Sequence, residues 1–172
     1  MRIVDLQDAS PICDAIALLS TTEITQFVCE FHPALTRMEM DKVIRMMDIL
    51  RHLEEIELVH FGETDTQKFL SALKNTSRWM RLRRLKFVHC RRITDWISDL
   101  IQVAAERMDE DLVLDTVTVV YEGREQEQEL FGVLGGFVRT LDLVGVEAGE
   151  VTRSEQVWDD TSCTTKVMSV PV

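Results

Sequence analysis

Glycine and proline are scarce, seven and three in 172 residues, which excludes a collagen-like or low-complexity chain. Closely spaced cysteine pairs are missing as well. Cys13, Cys29, Cys90 and Cys163 lie far apart, a pattern that suits neither a zinc site nor a secreted disulfide framework. They read as free thiols of a reducing compartment. Basic residues are outnumbered, 19 Lys and Arg against 30 Asp and Glu, leaving a formal net charge of −11. That balance opposes phosphate backbones and anionic lipid, so neither nucleic acid nor membrane is an expected partner. No segment approaches the roughly 20 apolar residues that a membrane helix needs. The N-terminus, with Asp5 and Asp8 close behind its single Arg, lacks a signal peptide's apolar stretch. A cytoplasmic or nuclear protein is expected.

Motifs that carry bond chemistry are lacking too. A phosphate-cradling loop precedes a helix N-terminus, whereas Gly135 and Gly136 fall late in a helical pattern and before a strand. Neither GxSxG nor HExxH occurs. Asp109, Glu110 and Asp111, like Glu125, Glu127 and Glu129, read as solvated turns and helix surface. The expectation is therefore a non-enzyme with no catalytic residues, metal or cofactor. A small α/β enzyme of unknown reaction is the alternative, and an orphan repeat fragment without independent function is another.

What the chain does contain is a recurring nine-residue phrase: ITQFVCEFH from Ile24, LEEIELVHF from Leu53, LRRLKFVHC from Leu82, LDTVTVVYE from Leu114 and VRTLDLVGV from Val138. Places one, four and six are apolar, or Cys, each time. The opening MRIVDLQDA fits weakly, with Val4 and Leu6 in the fourth and sixth places. Intervals of 23, 29, 29, 32 and 24 residues suit units of a strand, a helix and two loops. Helical periodicity fills the gaps: Ile93, Trp96, Ile97, Leu100, Ile101 and Ala104 form one apolar stripe, and Met40, Val43, Ile44, Met47 and Leu50 another. Thr36 with Glu39, and Thr64 with Gln67, have capping-box spacing. Ser10 with Pro11 predicts a short helix through Leu19, and Leu130, Phe131, Leu134 and Phe137 mark a last one.

Alternating strands and helices imply a parallel sheet. Its strands would read as continuous apolar runs if both faces were covered. Here the third and fifth places hold Gln26 and Val28, Glu55 and Glu57, Arg84 and Lys86, Thr116 and Thr118, Thr140 and Asp142. One wet face and one greasy, helix-covered face predict an α/β solenoid with a parallel concave sheet and convex helices. Aligning the repeats sets Glu54, Glu55 and Glu57 against Arg83, Arg84 and Lys86, at about 0.2 to 1 kcal/mol per pair. The expected apolar ladders run Val4, Phe27, Ile56, Leu85, Val117, Leu141 and Leu6, Cys29, Leu58, Phe87, Val119, Leu143.

The stretch LRRLKFVHCRRITDWISDL from Leu82 resembles the cysteine-containing leucine-rich repeat, LxxLxLxxC followed by xxITD and a helix. Leu82, Leu85, Phe87, Cys90, Ile93, Thr94 and Asp95 carry the match, while other repeats match the strand part and place Phe61, Glu122 and Val146 at the cysteine. The resemblance implies a ribonuclease-inhibitor-like horseshoe over residues 1–146. It also implies substrate recognition in F-box-type ubiquitin ligases, with Skp1, cullin components or a degradation substrate as protein partners. Residues 147–172 are expected as a cap or a flexible tail.

The candidate partner-binding residues lie on the concave face. Val59, Val88, Val120 and Val144, all in the seventh place, form an apolar stripe beside Glu55, Glu57, Arg84 and Lys86. Cover by the C-terminal tail is the competing reading. His60 and His89 occupy equivalent places and are expected to stack, and Cys90 to pack inward as a small hydrophobe. The basic cluster Arg78, Arg81, Arg83, Arg84, Lys86, Arg91 and Arg92 reads as a paired or solvated face, with phosphate or RNA contact as the alternative.

Overall fold

The computed structural model describes residues 2–4, 24–31, 40–122, 128–147, 150–158 and 163–171. Each copy of the phrase forms a strand, because apolar side chains two apart fall on one side of a pleated backbone. The strands are β1 (Arg2–Val4), β2 (Gln26–Glu30), β3 (Glu55–Val59), β4 (Arg84–Val88), β5 (Leu114–Glu122) and β6 (Val138–Glu147), followed by β7 (Glu150–Trp158) and β8 (Cys163–Pro171). They make one eight-stranded sheet ordered as in the chain. Pairing is parallel from β1 to β6 and antiparallel from β6 to β8. The chain is thus α/β with a mostly parallel open sheet.

The repeat is written into the backbone hydrogen bonds. The carbonyl of the second place accepts from the second and third amides of the next repeat: Thr25 from Glu54 and Glu55, Glu54 from Arg83 and Arg84, Arg83 from Asp115 and Thr116. At the other end, the amide of the eighth place donates to the seventh carbonyl of the following repeat. These bonds join Phe31 to Val59, His60 to Val88 and His89 to Val120, at 2.8 to 2.9 Å. Strands that share both ends of their ladders cannot slip by a residue without losing every such bond.

Between strands lie α1 (Met40–Ile49), α2 (Glu63–Leu73), α3 (Ile93–Asp109) and α4 (Gln128–Gly135). Successive helices pack on one another in chain order. Their apolar stripes join the fourth and sixth places of the strands in one core, including Phe27, Cys29, Ile56, Leu58, Leu85, Phe87, Val117, Val119, Leu141 and Leu143. Leu53, Leu82, Leu114 and Val138, first in the phrase, are buried as well. Phe87 is the aromatic hub, 4.9 Å from the Trp96 ring and 6.4 Å from Phe69.

Two expectations need correction. β1 sets Ile3 beside Cys29 and Val4 beside Glu30, not Val4 beside Phe27. An odd shift in a strand exchanges its faces, and two apolar matches were too few to fix the register of so short a strand. Thr64 does not cap α2: Gly62 is the N-cap, without a side-chain bond, and Gln67 Nε2 donates to the Asp95 carbonyl at 2.9 Å instead. Helix α3 runs from Ile93 to Asp109, with Val103 and Arg107 joining its buried stripe. The segment expected as a cap or tail, residues 147–172, contributes β7, paired with β6, and β8, paired with β7. The expected cap at Thr36, the helix after Ser10 and the place of Leu6 lie outside the described residues.

Candidate functional site

On the sheet face opposite the described helices, the third, fifth and seventh places line up in rows across the strands. The third-place row runs Gln26, Glu55, Arg84, Thr116, Thr140. Glu55 sits between two donors in it, taking Gln26 Nε2 at 2.9 Å and Arg84 Nε at 3.0 Å. The fifth-place row runs Val28, Glu57, Lys86, Thr118, Asp142 and joins Lys86 Nζ to Glu57 at 3.3 Å. The sequence-derived charge register is therefore present for two of its three pairs. Arg83 departs from it: its Nη1 donates to the Val113 carbonyl at 3.0 Å, and its amide, not its guanidinium, meets Glu54.

In these pairs the carboxylates are the less exposed partners, 22% for Glu55 and 18% for Glu57, against 53% for Arg84 and 39% for Lys86. The cationic ends stand outward and reachable while their charge is balanced beneath. Such half-exposed pairs are worth at most about 1 kcal/mol. Their larger effect is to fix where charge is displayed.

The seventh-place row aligns Val59, Val88, Val120 and Val144, with Glu30 at one end and Arg153 at the other. Val88, Val120 and Val144 are half-buried, but Val59 is only 8% exposed. The usable stripe is thus centred on β4 to β6, and Val59 closes it. At its far end Arg153 of β7 donates two bonds to Asp142, at 2.7 and 2.8 Å. That side-chain hydrogen bond, reinforced by the charge of Asp142, raises the guanidinium pKa further. Sequence reasoning missed this clamp because it treated the residues after 146 as a cap or tail. The spacing by two of Val151, Arg153, Glu155 and Val157 in Glu150–Trp158 was the available signal.

Where the parallel strands end, the eighth place makes a third kind of row. The His60 and His89 rings stack, 5.4 Å apart and 14° from parallel. Both backbones are left-handed, at φ 62° and 50°, a conformation rare outside glycine and found where a turn demands it. Tyr121 and Gly145 pair next in the row. A Cβ on Gly145 would meet the Tyr121 hydroxyl at 3.3 Å, so the missing side chain makes room for that ring.

Cys90 is buried and points its Sγ at the Leu58 carbonyl at 3.5 Å. Burial pushes its thiol pKa, and that of Cys29, up to about 12, so neither is a nucleophile at neutral pH. Among the described residues, no three His, Cys, Asp or Glu side chains are grouped to hold a metal, and no helix is long and apolar enough to cross a membrane. Against known proteins, the chain matches no family model, no curated protein and no solved structure. The arrangement itself defines a regular, charge-patterned sheet face of an α/β protein.

Proposed function

We propose that the chain is a non-catalytic interaction scaffold, a short leucine-rich-repeat-type horseshoe that binds a protein on its open sheet face. The observation that carries this reading is the alignment of Val88, Val120 and Val144 in one half-buried row flanked by outward-facing Arg84 and Lys86. An apolar strip rimmed by charge is what a protein interface uses for affinity and register respectively. The cysteine-containing repeat at Leu82–Leu100 adds substrate recognition in an F-box-type ubiquitin ligase as the biological setting, with Skp1 and cullin components or a degradation substrate as partners. Buried Cys90 and the α3 start at Ile93, which follow the LxxLxLxxC and xxITD pattern, support that reading.

Affinity capture from native lysate tests it, comparing the unaltered chain with a Val88→Ser, Val120→Ser variant. Both side chains lie on the face away from the core, so helicity should be unchanged. The expected result is recovery of ligase components or their substrates by the unaltered chain and loss from the variant. Equal recovery by both would remove the sheet face as the site.

A further inference from the structure

Where the strands begin, the end of α1 and the loop between α2 and β4 enclose a cleft of about 420 Å³. Arg51, Arg78 and Arg81 line it with Ser77, Trp79 and Asp48. Three guanidinium groups face one carboxylate. Asp48 lies 3.5 Å from Arg78, which balances one of them. Arg81 Nη1 is 2.8 Å from His52 Nδ1; a guanidinium has no lone pair to offer, so the imidazole nitrogen accepts and the Arg81 charge is left uncompensated. A second hollow, of about 400 Å³, shares Asp48 and Arg78 and adds Arg45 and Lys68 with a single further carboxylate, Asp41. In a chain of net charge −11, a concave surface with excess positive charge is a local inversion that draws anions in.

Two buried side chains behind the cleft add to that field. Trp79 is 7% exposed, lies on the cleft wall and has an indole N–H without an acceptor among the described residues. Its φ of 47° is one that a bulky residue adopts only where its surroundings hold it. Arg107 is wholly buried and anchors the loop, Nη2 donating to the Trp79 and Leu82 carbonyls at 3.2 and 3.4 Å. Its Nε and Nη1 have no partner among the described residues. Burial, and then the neighbouring Arg83, pull its pKa down to about 10, which still leaves a cation at neutral pH. These buried donors, on Trp79 of the cleft wall and on the Arg107 that anchors its loop, leave positive polarity close to this part of the fold.

We propose that this cleft binds a phosphate group, free or esterified, held by Arg51, Arg78 and Arg81 against the Trp79 wall. The two charges left after the Asp48 pair match a phosphate dianion, and planar guanidinium forks match its oxygens. Inorganic phosphate and a phosphorylated residue or metabolite share that chemistry, and the test separates them. The site is independent of the sheet face.

The indole N–H resonance of Trp79, assigned with Trp79→Phe, is followed while inorganic phosphate, O-phosphoserine or glutarate is added at constant ionic strength. Trp96 serves as an internal control, since its indole already donates to the Arg91 carbonyl at 3.0 Å. Saturable shifts with both phosphate compounds are expected, tighter for phosphoserine if an esterified ligand is the natural one and for inorganic phosphate if the free ion is. Arg51→Gln with Arg81→Gln, both exposed positions, should weaken binding roughly tenfold or more, the effect of losing charge-assisted hydrogen bonds. Phosphate should also slow phenylglyoxal modification of Arg51 and Arg81 in the unaltered chain, a readout that does not depend on the variant folding. No saturable shift, no protection, equal affinity in a folded variant, or an equal response to glutarate would overturn the proposal.

Discussion

Arg153 on β7 grips Asp142 on β6 through two hydrogen bonds of 2.7 and 2.8 Å, fastening the antiparallel end of the sheet to its parallel part. Asp142 is nearly buried, 11% exposed, while Arg153 stands 48% exposed. Removing the arginine strands a carboxylate that has little access to water. Arg153→Ala should therefore destabilise the chain by about 1 kcal/mol, less than the roughly 1.5 to 3 kcal/mol of fully buried bonds to charged groups because one partner is solvated. Amide hydrogen exchange should speed up in β7 and β8 first, with β3 and β4 unchanged. Uniform acceleration through the sheet would mean that the clamp is not local.

Phe87 is 1% exposed and packs on Trp96 and Phe69 in the middle of the core. Phe87→Ala should cost about 3 to 5 kcal/mol by urea denaturation, through lost transfer energy and the cavity left behind. That is a large share of the roughly 5 to 15 kcal/mol a domain commands. A tolerant variant would reverse the assignment of the two sheet faces.

The buried thiols make stability fall at alkaline pH. Burial raises Cys29 and Cys90 from 9.0 in the unfolded chain to about 12 in the fold. Below pH 9 both states hold the proton and nothing is lost. Between 9 and about 12 the unfolded chain releases protons that the folded chain retains, so stability declines by about 1.4 kcal/mol per pH unit for each thiol. Denaturation midpoints from pH 8 to 10 should show this slope, and Cys29→Ala with Cys90→Ala should flatten it. An unaltered slope in the variant would assign the loss to other groups. At neutral pH, both thiols should resist alkylation until the chain unfolds.

Much of the parallel sheet is legible in the sequence because one geometric rule repeats. Apolar first, fourth and sixth places recur, and the buried residues Leu53, Ile56 and Leu58, then Leu82, Leu85 and Phe87, follow them place by place. The charge register of Glu55 with Arg84 and Glu57 with Lys86 was legible for the same reason. Features that depend on one local event were not. Gly62, not Thr64, starts α2, since spacing alone does not show which backbone N–H a hydroxyl can reach. β7 and β8 alternate without the phrase, so their pairing with β6 had no repeat to announce it. Val59 shares the seventh place with Val88, yet only its neighbours determine that it is buried. The cationic cleft joins Arg51 from one loop to Arg78 and Arg81 from another, a proximity that follows from packing the strands side by side.

The most direct test of the scaffold reading is side-chain footprinting of the free chain and of its complex with the captured partner. Arg84 and Lys86 report on the open sheet face, and Met108 and Val133, 38% and 51% exposed, report on the helix side. Binding through the sheet face predicts that Arg84 and Lys86 lose reactivity while Met108 and Val133 keep theirs. Protection of Met108 and Val133 with Arg84 and Lys86 unchanged would contradict it.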